Sequence, residues 1–328
     1  MADISIGSAV GSGFQLIARK PLTVMTWGLL RVLFTAGVFA LFAPAVLGMF
    51  AELSHNAQAN AGGQASQAAA ARMMSHFLVI QGAGSLVQIV GLFVSTVTYC
   101  AVARAILHPE RAALAYLRLG PPEFFLAVIA FAAGIVLAIG LFIAMIPFVI
   151  AIAILASQKL FVAMAVVIGL GALVLFAGLI YVLLRCVFVI PMMVDDGQFH
   201  LFDAWTLTKG RVGSLFLIGL SLVVILIGAE VVVGAFMVGL GMAAVGAAGG
   251  FQNVQGFLQL GPAVVIGRLA PWLIAYAVLG IPVIGCVTAI CMAPWARAYR
   301  DVLPPAEPAA ATPPPMTPPP VEPSPVVA

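Results

Sequence analysis

The sequence predicts an all-α integral membrane protein of about six transmembrane helices. Three observations carry that reading: an apolar excess, six long apolar runs and a one-sided distribution of cations. Of 328 residues 63% are hydrophobic and 8% charged, against about 25% charged in an ordinary soluble domain. The excess is gathered into runs at about residues 22–50, 77–107, 123–156, 160–193, 213–243 and 263–296. Each is longer than the ~20 residues with which a helix crosses a bilayer. Continuous apolarity favours helices over barrel strands, which alternate lipid-facing and lumen-facing residues.

The cations set an expected orientation. On a six-span reading, Arg19, Lys20, Arg31, Arg104, Arg111, Arg118, Arg185, Lys209, Arg211, Arg297 and Arg300 fall on one side, and Arg72, Lys159 and Arg268 on the other. Eleven against three places both termini in the cytoplasm. Arg19, Lys20, Arg31, Arg118, Lys209 and Arg211 are read as interfacial anchors, with Arg31, nine residues into the first run, snorkelling to the headgroups. A net charge of +3 spread over helix ends gives no reason to expect a nucleic-acid partner. The first run begins only after Arg19 and Lys20 and is about 29 residues long, so it is expected to stay as an anchor rather than be cleaved as a signal peptide.

Residues 1–302 read as a membrane domain and 303–328 as a disordered, Pro-rich cytoplasmic tail, because eleven of the last 25 residues are proline. Within the membrane domain one plan recurs. Residues 5–20 place Ile6, Val10, Phe14 and Ile17 on one helical face, with Ser8, Ser12, Gln15 and Arg19 on the rest, before a break at Pro21. RAALAYLRLGPPEFFLAVIA, from Arg111, and FDAWTLTKGRVGSLFLIGL, from Phe202, repeat it with breaks at Gly120–Pro122 and Lys209–Arg211. The returning spans end alike, in YCAVAR from Tyr99, YVLLRC from Tyr181 and CMAPWAR from Cys291. Three diverged units follow, about 1–107, 108–195 and 196–302, each an interfacial amphipathic helix plus a two-span hairpin. Residues 51–75 read as a polar outside loop or a short surface helix, 157–160 as a tight turn, and 244–262 as a second outside loop.

No catalytic, cofactor-binding or metal site is expected. There is no phosphate-binding glycine loop, no paired-histidine zinc motif and no nucleophile elbow. His55, His76, His108 and His200 lack neighbouring ligands, and Cys100, Cys186, Cys286 and Cys291 read as thiols within the apolar runs. The group Asp195, Asp196, His200 and Asp203 reads most simply as a solvated loop. The candidate intramembrane polar site is Glu230, behind SLVVILIGA in the fifth run, with Arg268 as a prospective ion-pair partner. A charge at the bilayer centre costs at least ~2.5 kcal/mol and persists only with a partner, water or a role. Gln81, Gln88 and Tyr99 are expected to hydrogen-bond between helices, Trp27, Trp205, Trp272 and Trp295 to form interfacial belts, and Pro147, Pro191 and Pro282 to kink their helices.

The opening ISIGSAVGSGFQLIARKP, the loop RAILHPERAALAYLRLG from Arg104 and FDAWTLTKGR from Phe202 together resemble the bacterial family named for the membrane domain of glycerophosphoryl diester phosphodiesterases. The resemblance spans roughly residues 4–302 and implies the membrane part alone. The catalytic half would need a His-Arg-Gly start and paired acidic metal ligands on a barrel of ~250 residues, which this sequence lacks.

The expectation is therefore a non-enzymatic accessory, scaffolding or membrane-organising protein without cofactors. Its partners would be the lipid bilayer and either a second membrane protein or another copy of itself. The alternative is a small-solute or proton-coupled transporter using Glu230. Reporter fusions after residue 110, after residue 205 and at the C-terminus are expected to report cytoplasm, and a fusion within 55–70 the periplasm; periplasmic signal at residue 205 would break the six-span order.

Overall fold

A computed structural model describes residues 4–59, 67–110, 113–118, 120–199, 201–247 and 262–303. Among them the chain is helical without a strand: α1 (Ile6–Arg19), α2 (Pro21–Ala59), α3 (Gln67–Leu107), a single 3-10 turn (Ala113–Tyr116), α4 (Pro121–Ser157), α5 (Phe161–Cys186), α6 (Val189–Asp196), α7 (Leu201–Leu207), α8 (Val212–Ala247) and α9 (Pro262–Val302). Six stretches are long and apolar enough to cross a membrane: Pro21–Ala45, Ile80–Leu107, Glu123–Ser157, Phe161–Asp196, Val212–Ala243 and Ala270–Val302. The chain is thus an all-α, multi-span membrane protein.

The punctuation follows local chemistry. Proline tolerates the first helical turn, where its missing N–H has no intrahelical use, and α2 and α4 begin on Pro21 and Pro121. Gly210, at φ +80°, makes the left-handed break between α7 and α8 that the Lys-Gly-Arg triplet implied. Pro191 cannot donate to the carbonyl four residues back, and the helix is interrupted at Val187–Phe188, between α5 and α6. Pro147 and Pro282, by contrast, lie inside uninterrupted helices.

Two expectations change. The stretch 51–75 is largely helix, because α2 runs on to Ala59 and α3 starts at Gln67; alanine and glutamine there are good helix formers, and intrahelical bonding satisfies the backbone beyond the lipid. Of the three interfacial stretches, α1 is a full helix, the third is the seven-residue α7, and the second contains only the turn Ala113–Tyr116. The Pro-rich tail and most of the loop at 244–262 lie outside the described residues.

Most of the packing is gathered at one end of the molecule. The buried apolar residues are Val24, Trp27 and Val32 early in α2, Val97–Ala105 late in α3, Leu126 and Ala127 early in α4, Leu184 late in α5, Leu215–Leu222 early in α8 and Ala289–Val302 late in α9. Because the helices alternate in direction, all of these lie at the end that also holds α1, α6 and α7; we call it the base. Beyond the base the helix surfaces are apolar and exposed, for example at Phe39, Leu86, Phe142, Ile154, Phe161, Val232 and Leu273.

At the centre of the base stands α9, packed most extensively on α2 and α1. The contacts are backbone to backbone. A methyl group added at Gly28 would collide with the carbonyl of Ile281, one at Gly285 with the carbonyl of Val24, and one at Gly13 would stand 2.8 Å from the Ile290 Cα. Small residues at such crossings let helices approach closely where lipid removes the hydrophobic drive between them. The face of α1 turned inward is accordingly Ala9, Ser12, Gly13 and Leu16, while Phe14 remains exposed. Ser12, expected on the polar face, is buried and donates its hydroxyl to the Ala9 carbonyl at 2.6 Å. Closeness of approach, more than apolarity, decides that face.

Gly285→Val is expected to lower the melting temperature of the protein in mild detergent, at a cost of about 1–3 kcal/mol or more, because rigid backbone cannot yield. Gly140→Ala, in open space on α4, is the matched control. Equal melting curves for the two variants would show that α2 and α9 do not cross this closely.

Candidate functional site

The polar side chains of the base form two knots. In the first, the α3–α4 connection is clamped from four sides. Tyr116 is almost fully buried, and its hydroxyl accepts a hydrogen bond from Lys20 Nζ, which also lies 4.6 Å from the ring centroid. The same hydroxyl donates to the Pro109 carbonyl at 2.8 Å. Trp27 Nε1 donates to the Ala115 carbonyl at 2.9 Å, and Arg104 Nη1 reaches the Tyr116 carbonyl at 3.4 Å. Ala115 and Tyr116 have φ values of +55° and +62°, a conformation that is uncommon outside glycine and persists where surroundings over-determine it. These contacts explain why residues 113–118 form a turn and not an amphipathic helix: the left-handed turn carries Tyr116 inward to its partners.

Arg104 and Glu123 form an ion pair beneath this turn, with side chains 14% and 3% exposed. The other Glu123 oxygen accepts the Gly120 N–H at 3.0 Å, so the carboxylate also caps α4 at its electropositive end. A buried pair contributes little net stability, but loss of one member strands the other charge.

The second knot joins the ends of α3, α6 and α9. His108 Nε2 lies 3.3 Å from Asp195 Oδ1 and His108 Nδ1 lies 3.7 Å from Glu110 Oε1, although Nε2 is poorly aligned for a hydrogen bond. Tyr299 donates to the other Asp195 oxygen at 3.4 Å. With both ring nitrogens facing carboxylates, His108 presents neither to a substrate, and the group works as a fastening between three helix ends. Nothing in the sequence linked Tyr299 and His108 to Asp195, since they stand far apart along the chain. His200 lies outside the described residues, and among those residues no cluster of three or more His, Cys, Asp or Glu could hold a metal. The four cysteines are unpaired thiols.

The remaining anchors divide. Arg19, Arg118 and Lys209 are exposed. Arg211 donates to the Leu207 carbonyl at 3.1 Å, closing the end of α7. Arg185 stacks between Tyr181 and Trp205, with its guanidinium carbon 5.2 Å from each ring centroid. Arg31 is no simple surface anchor, because Nε and Nη2 are buried without a hydrogen-bond partner and the guanidinium lies 5.1 Å from the Tyr99 centroid. Trp27 is likewise wholly buried in the base rather than placed in a belt. Gln81 and Gln88 occupy exposed positions on α3.

Glu230 and Arg268 are not brought together. Both are exposed, and among the described residues no ion pair joins them. Helix register supplies the reason. Gly219 of α8 lies beside Trp295 of α9; Glu230 is 11 residues outward of the first, and Arg268 is 27 residues outward of the second. At 1.5 Å per residue the two α-carbons differ by about 24 Å along the bundle, well beyond the reach of the side chains. The chain matches no known protein family, no curated protein and no solved structure.

Glu123→Ala is expected to destabilise the detergent-solubilised protein by about 3–5 kcal/mol by leaving Arg104 buried without its counter-charge, and replacing both residues with Met should restore most of the loss. Thermal unfolding of the single and double variants checks this; a double variant no better than the single one would mean that the pair is not coupled.

Proposed function

We propose that this chain is a non-enzymatic, multi-span protein of the bacterial inner membrane with a scaffolding or membrane-organising role, its base and both termini at the cytoplasmic face. The observation that carries the reading is the division of the molecule into a packed base and unpacked apolar arms. The base is fastened by two polar knots, which engage Lys20, Arg104, Glu123, His108 and Asp195. The arms of α4, α5 and α8 present large side chains around most of their circumference, which suits association with lipid or with other membrane helices. The excess of cations at the base supports the orientation, and the resemblance to a phosphodiesterase-associated membrane domain supports a role without chemistry of its own.

Photo-activatable residues at Phe142 in α4 and Val232 in α8 should yield protein adducts in native membranes, at sites more than 70% and about 70% exposed respectively. Adducts with lipid alone at both positions would remove the scaffolding reading.

A second reading has one observation in its favour. If α1 lies in the headgroup region where it meets α9 at Ile290, the register of α8, with Gly219 beside Trp295, sets Glu230 about 9 Å further into the bilayer, within its base-side half. A carboxyl at that depth with no ion-pair partner in the described chain is the kind of group that carries protons or cations through transporters. Loss of solute or proton flux in reconstituted Glu230→Gln vesicles would support transport; flux equal to the unsubstituted protein would remove it.

A further inference from the structure

The guanidinium of Arg31 is a charge for which the described residues supply no counter-charge. Two of its nitrogens, Nε and Nη2, are buried without a partner, against the face of Tyr99. The ring attracts the cation but neutralises nothing. The helices around this position are α2, α3 and α9, which pack on one another, and their acidic residues are few. Helix α3 has none; α2 has only Glu52, 21 residues further out or about 30 Å; α9 has only Asp301, already paired with Arg297 at 3.3 Å.

A half-buried cation with two sealed, unpartnered nitrogens is unfavourable unless an anion arrives from outside. Nη1 is the guanidinium nitrogen that is not sealed off. Side chains of a helix lean toward its N-terminus, so the Arg31 head is drawn from its place one turn beyond Trp27 back toward the base, onto Tyr99. Trp27, together with Leu16 of the amphipathic α1, Ala101 two residues after Tyr99, and Ala289, belongs to a single buried cluster. Gly28 of α2 lies against Ile281, nine residues outward of Ile290, where α1 meets α9. The guanidinium, drawn back from Arg31 to about the level of Gly28, therefore lies about two helical turns inside the α1 contact, on the hydrocarbon side of the headgroup level.

We propose that Arg31 and Tyr99 form the inner wall of a phosphate-binding site for a phospholipid headgroup drawn below the headgroup level, entered between α2 and its neighbours from the side of the base. Nη1 donates to a phosphate oxygen, and the Tyr99 ring holds the guanidinium plane in place. A free phosphate ion shares the chemistry; the depth and the apolar surroundings favour the lipid, whose acyl chains lie along the exposed apolar flanks of α2, such as Leu33 and Phe39.

The test uses the full chain purified in a maltoside detergent, which contains no phosphate. Dioleoyl phosphatidylglycerol should raise the melting temperature by about 5 °C, and phosphate-free diolein should not. Arg31→Gln should abolish the shift, Arg31→Lys should keep part of it, and Arg118→Gln, at an exposed position, should keep all of it. Equal shifts with diolein and phosphatidylglycerol would overturn the proposal even if Arg31→Gln fails to fold, because they compare additives on the unsubstituted protein. A shift with inorganic phosphate and none with phospholipid would overturn the lipid assignment in favour of a soluble phosphate. An undiminished phospholipid shift in Arg31→Gln would exclude Arg31 as the donor.

Discussion

The fold depends on how closely α9 can lie against α1 and α2. Within lipid, helices gain little from hiding apolar side chains from one another, so association rests on close packing and on polar contacts. Gly13, Gly28 and Gly285 bring backbones into touch at three points, and each would clash if it carried a side chain. Around that contact the other spans are assembled mainly by their base ends, where most of their buried residues lie.

The polar layer completes the base because a polar group that leaves water must find another partner. The α3–α4 connection crosses the bundle as an irregular turn, so its carbonyls have no helical donors. Trp27, Arg104 and Lys20 supply bonds there, and Tyr116 turns into them at the expense of two left-handed residues. Strain, burial and hydrogen bonding at this turn are one compromise. Its rigidity also fixes the start of α4, through Gly120 and the Glu123 carboxylate.

The arms follow the opposite rule. From Phe124 to Ser157 there is no charged residue, and at Gly171 the hairpin of α4 and α5 is held by a close contact with Phe148. The arms therefore leave surface for lipid or for partners while the base keeps its geometry. Arg31 lies where the two regimes meet, which is why its charge is both held and uncompensated.

Much of this architecture is written locally. Six uninterrupted apolar runs, prolines at 21 and 121 and the Lys-Gly-Arg triplet at 209–211 are enough to specify helices, spans and breaks, because backbone hydrogen bonding in lipid leaves no alternative to a helix and proline and glycine act on their own neighbourhood. The expected pairing of Glu230 with Arg268 failed because relative register between two spans depends on where their surfaces meet, and hydropathy carries no such information. The inward turn of Tyr116, the grouping of His108 with Asp195 and Tyr299, the burial of Trp27 and the isolation of Arg31 were decided only by tertiary structure, since each is a relation between residues that no sequence spacing connects.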